Sequence, residues 1–157
     1  MIDLTIDNLL QQLKSLGYEA NLQKETNQIY IILKVAESDF PVFFKIASEG
    51  ELLQVLVFMP GTLQDGTEGE VGRILHYINK ELDIPGFGMD EAAKVIFYRI
   101  MLPAKDKKID EKLLKTYLGI VEPVCETFAP AIMTVATGNL TFNKVLEKLK
   151  EASNANT

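Results

Sequence analysis

The spacing of hydrophobic residues along the chain predicts four helices. Over residues 5–16, and again over 67–82, apolar side chains recur every three or four positions, as they do on one face of an α-helix. The same spacing holds for six turns or more from Asp110 to Met133, and it returns after Gly138. The third of these helices is therefore the longest element that the sequence predicts.

Residues with known positional preferences indicate where the helices begin and where they are disturbed. Thr5 stands at the start of the first helix as a candidate N-cap. Thr67 and Glu70 have the spacing of a capping box for the second helix, in which each side chain binds the other's backbone amide. Pro123 and Pro130 lie inside the long helix, where proline removes a backbone donor, so a kink or break is expected near one of them.

A short last helix and a tail complete the chain. Thr141 is its candidate cap, and the residues expected to face inward are Phe142, Val145, Leu146 and Leu149. The polar stretch 153–157 is expected to be a disordered tail. Residues 1–152 are then predicted to form a single α+β domain.

Period-two alternation and β-branched or aromatic residues predict the strands. Four strands precede the second helix and two follow it, at residues 18–23, 29–33, 40–47, 52–59, 87–90 and 95–102. Tight polar turns between neighbours favour an antiparallel sheet. The element order is α-β-β-β-β-α-β-β-α-α, an α+β fold with helices packed against an antiparallel sheet.

Aromatic residues in the third and fourth strands suggest a surface. Phe43 and Phe44 are adjacent, so they point to opposite faces of the sheet. Either helices cover both faces, or they cover one face and leave an apolar patch, which usually marks a partner or dimer interface. The candidate residues for such a surface, on the strands and the second helix, are Phe43, Phe44, Phe58, Ile74, Tyr77 and Ile78.

Composition and charge narrow the class of protein. The chain has 157 residues, 47% of them hydrophobic, and a net charge of −6, which describes one folded acidic domain rather than a nucleic-acid binder. The acidity lies in residues 1–100, which hold 15 acidic and 8 basic side chains. No basic, apolar leader opens the sequence and no apolar run approaches about 20 residues, so a cytoplasmic protein without a membrane partner is expected.

The residues that could carry chemistry are few, and each has a simpler structural interpretation. His76 is the only histidine and belongs to no nucleophile motif. Cys125 is the only cysteine, so it fits a buried apolar position better than a zinc site or disulfide. The densest acidic group is Asp65, Glu68, Glu70 and Asp83; its spacing matches no calcium loop. No catalytic, metal or cofactor residue is predicted.

Three stretches carry a resemblance to a known family. Residues 77–81 (YINKE), 85–90 (PGFGMD) and 95–103 (VIFYRIMLP) resemble the YbjN-type family, as do the opening Leu4–Leu10 and the helix start 109–114. Class I type III secretion chaperones share that fold, and the chain is most similar to uncharacterised cyanobacterial members. The resemblance implies a small acidic cytoplasmic homodimer that holds a segment of another protein. It implies no catalytic residues.

Three functions from different classes remain at this point. The first is a non-enzymatic module that binds a segment of a partner protein on apolar sheet and helix surface edged by acidic residues. The alternative is a sensor or regulator with a small-ligand pocket between the sheet and the long helix. The third is a metal-dependent hydrolase that uses the acidic group around the second helix.

Overall fold

Six antiparallel strands form the sheet that organises the fold, and the computed structural model describes residues 1–155. In chain order the elements are β1 (Ile2–Asp3), α1 (Ile6–Ser15), β2 (Asn21–Gln23), β3 (Gln28–Val35), β4 (Ser38–Ala47), β5 (Leu52–Phe58), α2 (Glu68–Glu81), β6 (Phe87–Asp90), β7 (Val95–Pro103), β8 (Lys108–Ile109), α3 (Glu111–Ala136) and α4 (Phe142–Ala155). The spatial order of the sheet is β2-β3-β4-β5-β7-β6. The predicted α+β architecture and its element order are confirmed.

The core lies between one face of the sheet and the helices. Alternate strand residues point into it, and in register Phe44 faces Ile29 on β3 and Val55 on β5. Val55 in turn faces Ile100 on β7, and all four side chains are buried. The buried sides of α1, α2 and α3 pack against this layer, with Leu9, Leu13, Ile74, Ile78, Leu114, Leu118, Val121 and Ile132 in one cluster. We call this side of the sheet the core face.

Two short strands were not predicted. β1 and β8 pair with each other, Ile2 opposite Ile109 and Asp3 opposite Lys108. They tie the start of the chain to the segment before α3, where Ile109 is buried. A two-residue strand is too short to show a period in the sequence.

The long helix runs unbroken past both of its prolines. α3 extends from Glu111 to Ala136 with Pro123 and Pro130 inside it, so the helix breaks at neither of them. Both prolines are exposed, and the carbonyls that lose a backbone partner therefore lie on the accessible side of the helix. Packing of the opposite, buried side onto the sheet holds the helix together.

The N-cap predicted for α1 is confirmed, and the one predicted for α2 is not. Thr5 caps α1 by accepting the Asn8 amide at 3.3 Å. Thr67 makes no cap bond; its hydroxyl donates to the Gln64 carbonyl at 2.7 Å. The predicted capping box is wrong, because the Glu70 carboxylate binds the last helix instead of the Thr67 amide.

Glu70 joins α2 to the last helix. Its Oε2 accepts the backbone amide of Phe142 at 2.6 Å, one of the donors that the first turn of α4 leaves unpaired. The Phe142 ring lies 6.0 Å from that of Tyr77, and the Arg73 guanidinium lies 4.5 Å from its centroid. α4 therefore packs on α2, away from the sheet.

The end of α4 differs from the sequence prediction in one residue. Phe142 and Val145 are buried as expected, whereas Leu149 is 46% exposed, because α4 leaves the rest of the fold after Leu146. The helix continues to Ala155, through part of the stretch expected to be a disordered tail. Residues 156 and 157 lie outside the described residues.

One asparagine fixes the join between α2 and β6. Asn79 Oδ1 accepts the amides of Gly86 and Phe87 at 3.2 and 2.9 Å, and its Nδ2 donates to the Phe87 carbonyl at 2.9 Å. A Cβ atom at Gly86 would stand 2.2 Å from the carbonyl oxygen of Arg99, so this close approach requires glycine. The Asn79 side chain thus sets where β6 enters the sheet.

Candidate partner-binding face and groove

The face of the sheet opposite the core is lined by apolar side chains that no helix of residues 1–155 covers. A continuous cross-strand row runs from Tyr30 to Phe43, Leu56 and Arg99 across four strands. The two strand residues Ile32 and Met101 are 47% and 42% exposed. We call this surface the open face; its apolar members on the four long strands include Tyr30, Ile32, Phe43, Leu52, Leu56, Phe58, Phe97 and Met101.

The open face is internally packed yet separate from the core. The Phe43 ring lies 6.0 Å from Tyr30 and 5.8 Å from Phe58, the latter edge to face. None of the eight apolar residues belongs to the buried core cluster or to the side chains that pack against it. Neighbouring strands therefore hold these side chains in place on a surface that faces solvent.

The charges on the open face differ from the acidic edge that the sequence suggested. Lys45 lies opposite Gln54, and Arg99 lies opposite Leu56 with its guanidinium 5.6 Å from the Phe97 ring. Lys34 pairs in register with Asp39 at the end of the β3–β4 hairpin. Basic groups thus stand among the apolar ones, while the acidity of residues 1–100 lies largely elsewhere.

The six candidate surface residues fall into three environments. Phe43 and Phe58 lie on the open face. Phe44, Ile74 and Ile78 are buried, the first on the core face of β4 and the other two on the sheet side of α2, so a partner cannot reach them in this structure. Tyr77 is half-buried beneath Phe142 of α4. The last helix therefore covers the α2 part of the predicted surface and leaves the sheet part uncovered.

A groove lies on the other side of the sheet, between α3 and the strands β3 and β4. It consists of two cavities of about 230 and 290 Å³, and Glu126 lines both. The first is lined on the helix side by Gly119, Glu122 and Pro123, and the second by Pro130 and Met133. We call the two together the α3 groove.

Tyr18 stands at one end of the α3 groove. It lies in the link between α1 and β2, half-buried, and lines the first cavity with Glu122. Burial, and then the negative charge of Glu122, raise the pKa of its phenol. Tyr18 and Glu122 therefore border the same cavity.

The acidic residues around α2 make separate contacts in the part of the chain that the structure describes. Within residues 1–155, no group of three or more His, Cys, Asp and Glu side chains is placed to hold a metal ion. Asp65 pairs with the Lys94 ammonium at 2.7 Å. Glu70 caps α4, and Asp83 lies beyond the opposite end of α2 from Glu68. The structure thus separates the acidic residues on which the hydrolase hypothesis depends.

His76 and Cys125 occupy the positions that the sequence favoured. His76 is exposed on α2. Cys125 is buried against the sheet as a free thiol, and desolvation raises its pKa to about 12. A thiol in this state is a poor nucleophile at neutral pH because almost none of it is ionised.

α3 is long and apolar enough to cross a membrane by length and composition alone. Nine of its residues, from Leu114 to Ala136, are buried in the domain. A core helix of a folded domain passes the same test. The buried stripe on one side of α3 accounts for part of its apolar character.

Comparison with known proteins identifies the family of the chain. Comparison with curated proteins gives no match. The family model of YbjN, described as "putative bacterial sensory transduction regulator", matches residues 5–133. That match runs from the start of α1 through most of α3, so it contains the whole six-stranded sheet, and α4 lies beyond it. The chain belongs to the YbjN family.

Proposed function

We propose that this protein is a non-enzymatic regulator that binds a segment of another protein on its open face. The observation that carries the proposal is the row of apolar side chains that no helix covers. Exposed apolar patches of this kind usually serve protein interaction. The regulator description of the family supports a binding role, and the separated acidic residues offer no competing catalytic centre.

The edge of the sheet suits an extended segment. β2 pairs only with Gln28, Ile29 and Tyr30 of β3, so no strand within the described residues pairs with the outer edge of Ile31–Val35. An extended peptide can add to such an edge through its backbone while its side chains reach the adjoining apolar face. The likeness to secretion chaperones, a homodimeric state and a cytoplasmic location are further parts of this proposal.

A matched pair of substitutions tests the open face. Ile32→Lys places a charge at its exposed apolar position on β3, and Leu149→Lys does the same at an equally exposed position on α4. Proteins retained from native lysate by the wild type at low and high salt are identified, and the affinity of the purified partner is measured for all three proteins. We expect apolar binding to survive high salt. Ile32→Lys should weaken it about tenfold or more, and Leu149→Lys should not.

The oligomeric state separates the two possible occupants of the open face. Light scattering of the wild type should show a homodimer, and dissociation by Ile32→Lys would place the second copy on the open face rather than a partner segment. Equal loss of partner binding in Ile32→Lys and Leu149→Lys would refute the proposal. So would a partner whose affinity neither substitution changes.

The α3 groove favours a second candidate function, a small-ligand sensor. Its two cavities lie between the sheet and the long helix, where the sequence suggested such a pocket. A ligand that binds the folded state raises the melting temperature. No shift across a broad set of metabolites would exclude this candidate and leave the open face untouched.

A further inference from the structure

One side of α3 forms a straight stripe along the groove. Gly119, Pro123, Glu126, Pro130 and Met133 follow one another at intervals of three and four residues, and all five line the two cavities. Residues at these intervals share one face of a helix. The unusual residues of α3, a glycine and two prolines in a helix interior, are therefore gathered on the face that borders the groove.

The prolines give this face free backbone acceptors. In an α-helix the amide of residue i donates to the carbonyl of residue i−4, and proline has no amide hydrogen to donate. Pro123 therefore leaves the carbonyl of Gly119 without its helical donor, and Pro130 does the same for Glu126. Gly119 and Glu126 both line the groove, so the two carbonyls without a helical donor belong to residues of its helix wall.

The side chains of the groove add negative charge to an apolar floor. Glu122 and Glu126 are exposed carboxylates at its helix wall, and its lining contains no Lys, Arg or His. The floor is apolar, with Ile31, Leu33, Val42, Leu118 and Val121 in the first cavity and Val35, Phe40 and Ala129 in the second. Tyr18 adds an aromatic ring beside Glu122, a favourable surface for a cation.

We infer that the α3 groove binds an organic ammonium ion with an apolar chain. Carboxylates, free carbonyls and an aromatic ring all attract an ammonium group, and the apolar floor can pack against an alkyl chain. An organic anion would meet two carboxylates with no counter-charge in the lining. This inference rests on the ligand-sensor candidate and is independent of the open face, which lies on the other side of the sheet.

Three probes with one hydrocarbon chain and different charge test the inference. Hexylammonium, hexanol and hexanoate are titrated into the full-length protein, and binding is followed by calorimetry and by the melting temperature. We expect hexylammonium to bind at least tenfold more tightly than hexanol, and hexanoate not to bind. Equal binding of hexylammonium and hexanol, or no binding of hexylammonium, would overturn the inference.

Substitutions locate the site. Glu122→Gln and Glu126→Gln each remove one charge and should weaken hexylammonium binding about tenfold, the loss expected for one charge-assisted hydrogen bond. Glu91→Gln, in the β6–β7 turn at the far edge of the sheet, is the charge-matched control and should leave binding unchanged. Equal weakening by all three would show a nonspecific effect of net charge and refute the site.

A filling substitution tests the cavity itself. A Cβ atom at Gly119 would meet no atom within 4 Å, so Gly119→Leu should fold, gain helix propensity and occupy the first cavity. It should abolish hexylammonium binding while the melting temperature of the free protein holds or rises. Retained binding in Gly119→Leu would overturn the inference. Binding of some other metabolite would then still support a ligand sensor. Failure of the ammonium inference can therefore be distinguished from failure of the sensor candidate.

Discussion

The two faces of the central sheet carry similar side chains and differ in what covers them. On both, aromatic and aliphatic residues face one another across β3, β4, β5 and β7. On the core face the helices exclude water, and Phe44 is fully buried; on the open face Ile32 is 47% exposed. The difference is therefore a matter of what covers each face, and composition alone does not distinguish them.

The comparison shows how burial and surface exposure can coexist in one apolar sheet. An antiparallel sheet of a globular protein commonly has one apolar and one polar face. Here the second face is also largely apolar, although folding leaves it partly exposed to water. The cost of that exposure is explicable if a partner covers the face, which is the basis of the proposed function.

The largest expected difference in stability is between substitutions of two adjacent phenylalanines, one on each face. Phe44→Ala should cost about 3–5 kcal/mol, because it leaves a cavity in the core. Phe43→Ala should cost only about 1–2 kcal/mol, since its ring contacts Tyr30 and Phe58 on a face open to water. Urea unfolding of both variants measures the free energies. Equal losses would mean that the open face is covered in solution, as by a second copy of the chain.

A polar side chain at the join between α2 and β6 should have the next largest effect on stability. Asn79→Ala should cost about 2–3 kcal/mol, because the amides of Gly86 and Phe87 lose their acceptor and the Phe87 carbonyl loses its donor. Asn79→Asp keeps the acceptor and should cost less. Urea unfolding compares the two. A loss below about 0.5 kcal/mol for Asn79→Ala would show that packing alone positions β6.

Alkaline pH should weaken the core face through two buried groups. Burial raises the pKa of Cys125 and of Tyr98 to about 12, from ordinary values of 9.0 and 10.0. Between about pH 9 and 12 the unfolded chain therefore holds fewer protons than the folded one, and the free energy of unfolding falls as pH rises. Below pH 9 these two groups should contribute no pH dependence to the free energy of unfolding.

The melting temperature between pH 7 and 11 measures this loss. Cys125→Ala removes one of the two groups and should reduce the alkaline slope, although the cavity lowers its stability at every pH. The thiol should also resist alkylation at pH 8 until the protein unfolds. Rapid alkylation of native protein would show that Cys125 is accessible, contrary to its place in the core.

Much of the fold could be predicted from periodicity, and the exceptions have physical causes. The six sheet strands and four helices each present a regular apolar pattern, so their order was recoverable. β1 and β8 have two residues each and present none. A break at Pro123 or Pro130, one of the two outcomes expected there, does not occur, because packing of the buried side of α3 in the folded protein outweighs the local cost of proline.

The candidate site was harder to predict because it depends on which face of the sheet the helices cover. Alternation placed Phe43 and Phe44 on opposite faces, but the sequence gives no sign of which one meets water. The same limit applies to Tyr77, which Phe142 covers from 65 residues further along the chain. The α3 groove did have a signal, since Gly119, Pro123 and Pro130 are poor helix formers at helical spacing.

A smaller effect is expected where α4 meets α2. Glu70→Gln should cost about 1 kcal/mol, because the Phe142 amide exchanges a carboxylate acceptor for a neutral one at a helix N-terminus. Glu68→Gln, in the same first turn of α2, controls for the lost charge on that helix. Urea unfolding of both distinguishes them. Equal costs would assign the effect to the first turn of α2 rather than to the cap of α4.

The smallest effect should come from the open face itself. Ile32→Lys should change the free energy of unfolding by only about 0.5 kcal/mol or less, because the side chain is nearly half exposed and lies outside the core cluster. Leu149→Lys provides the same change on α4, and urea unfolding of dilute protein measures both. A cost of 2 kcal/mol or more, estimated as that of burying a side chain, confined to Ile32→Lys would contradict an uncovered open face. A negligible cost joined to lost partner binding would instead show that this face serves recognition and contributes little to folding.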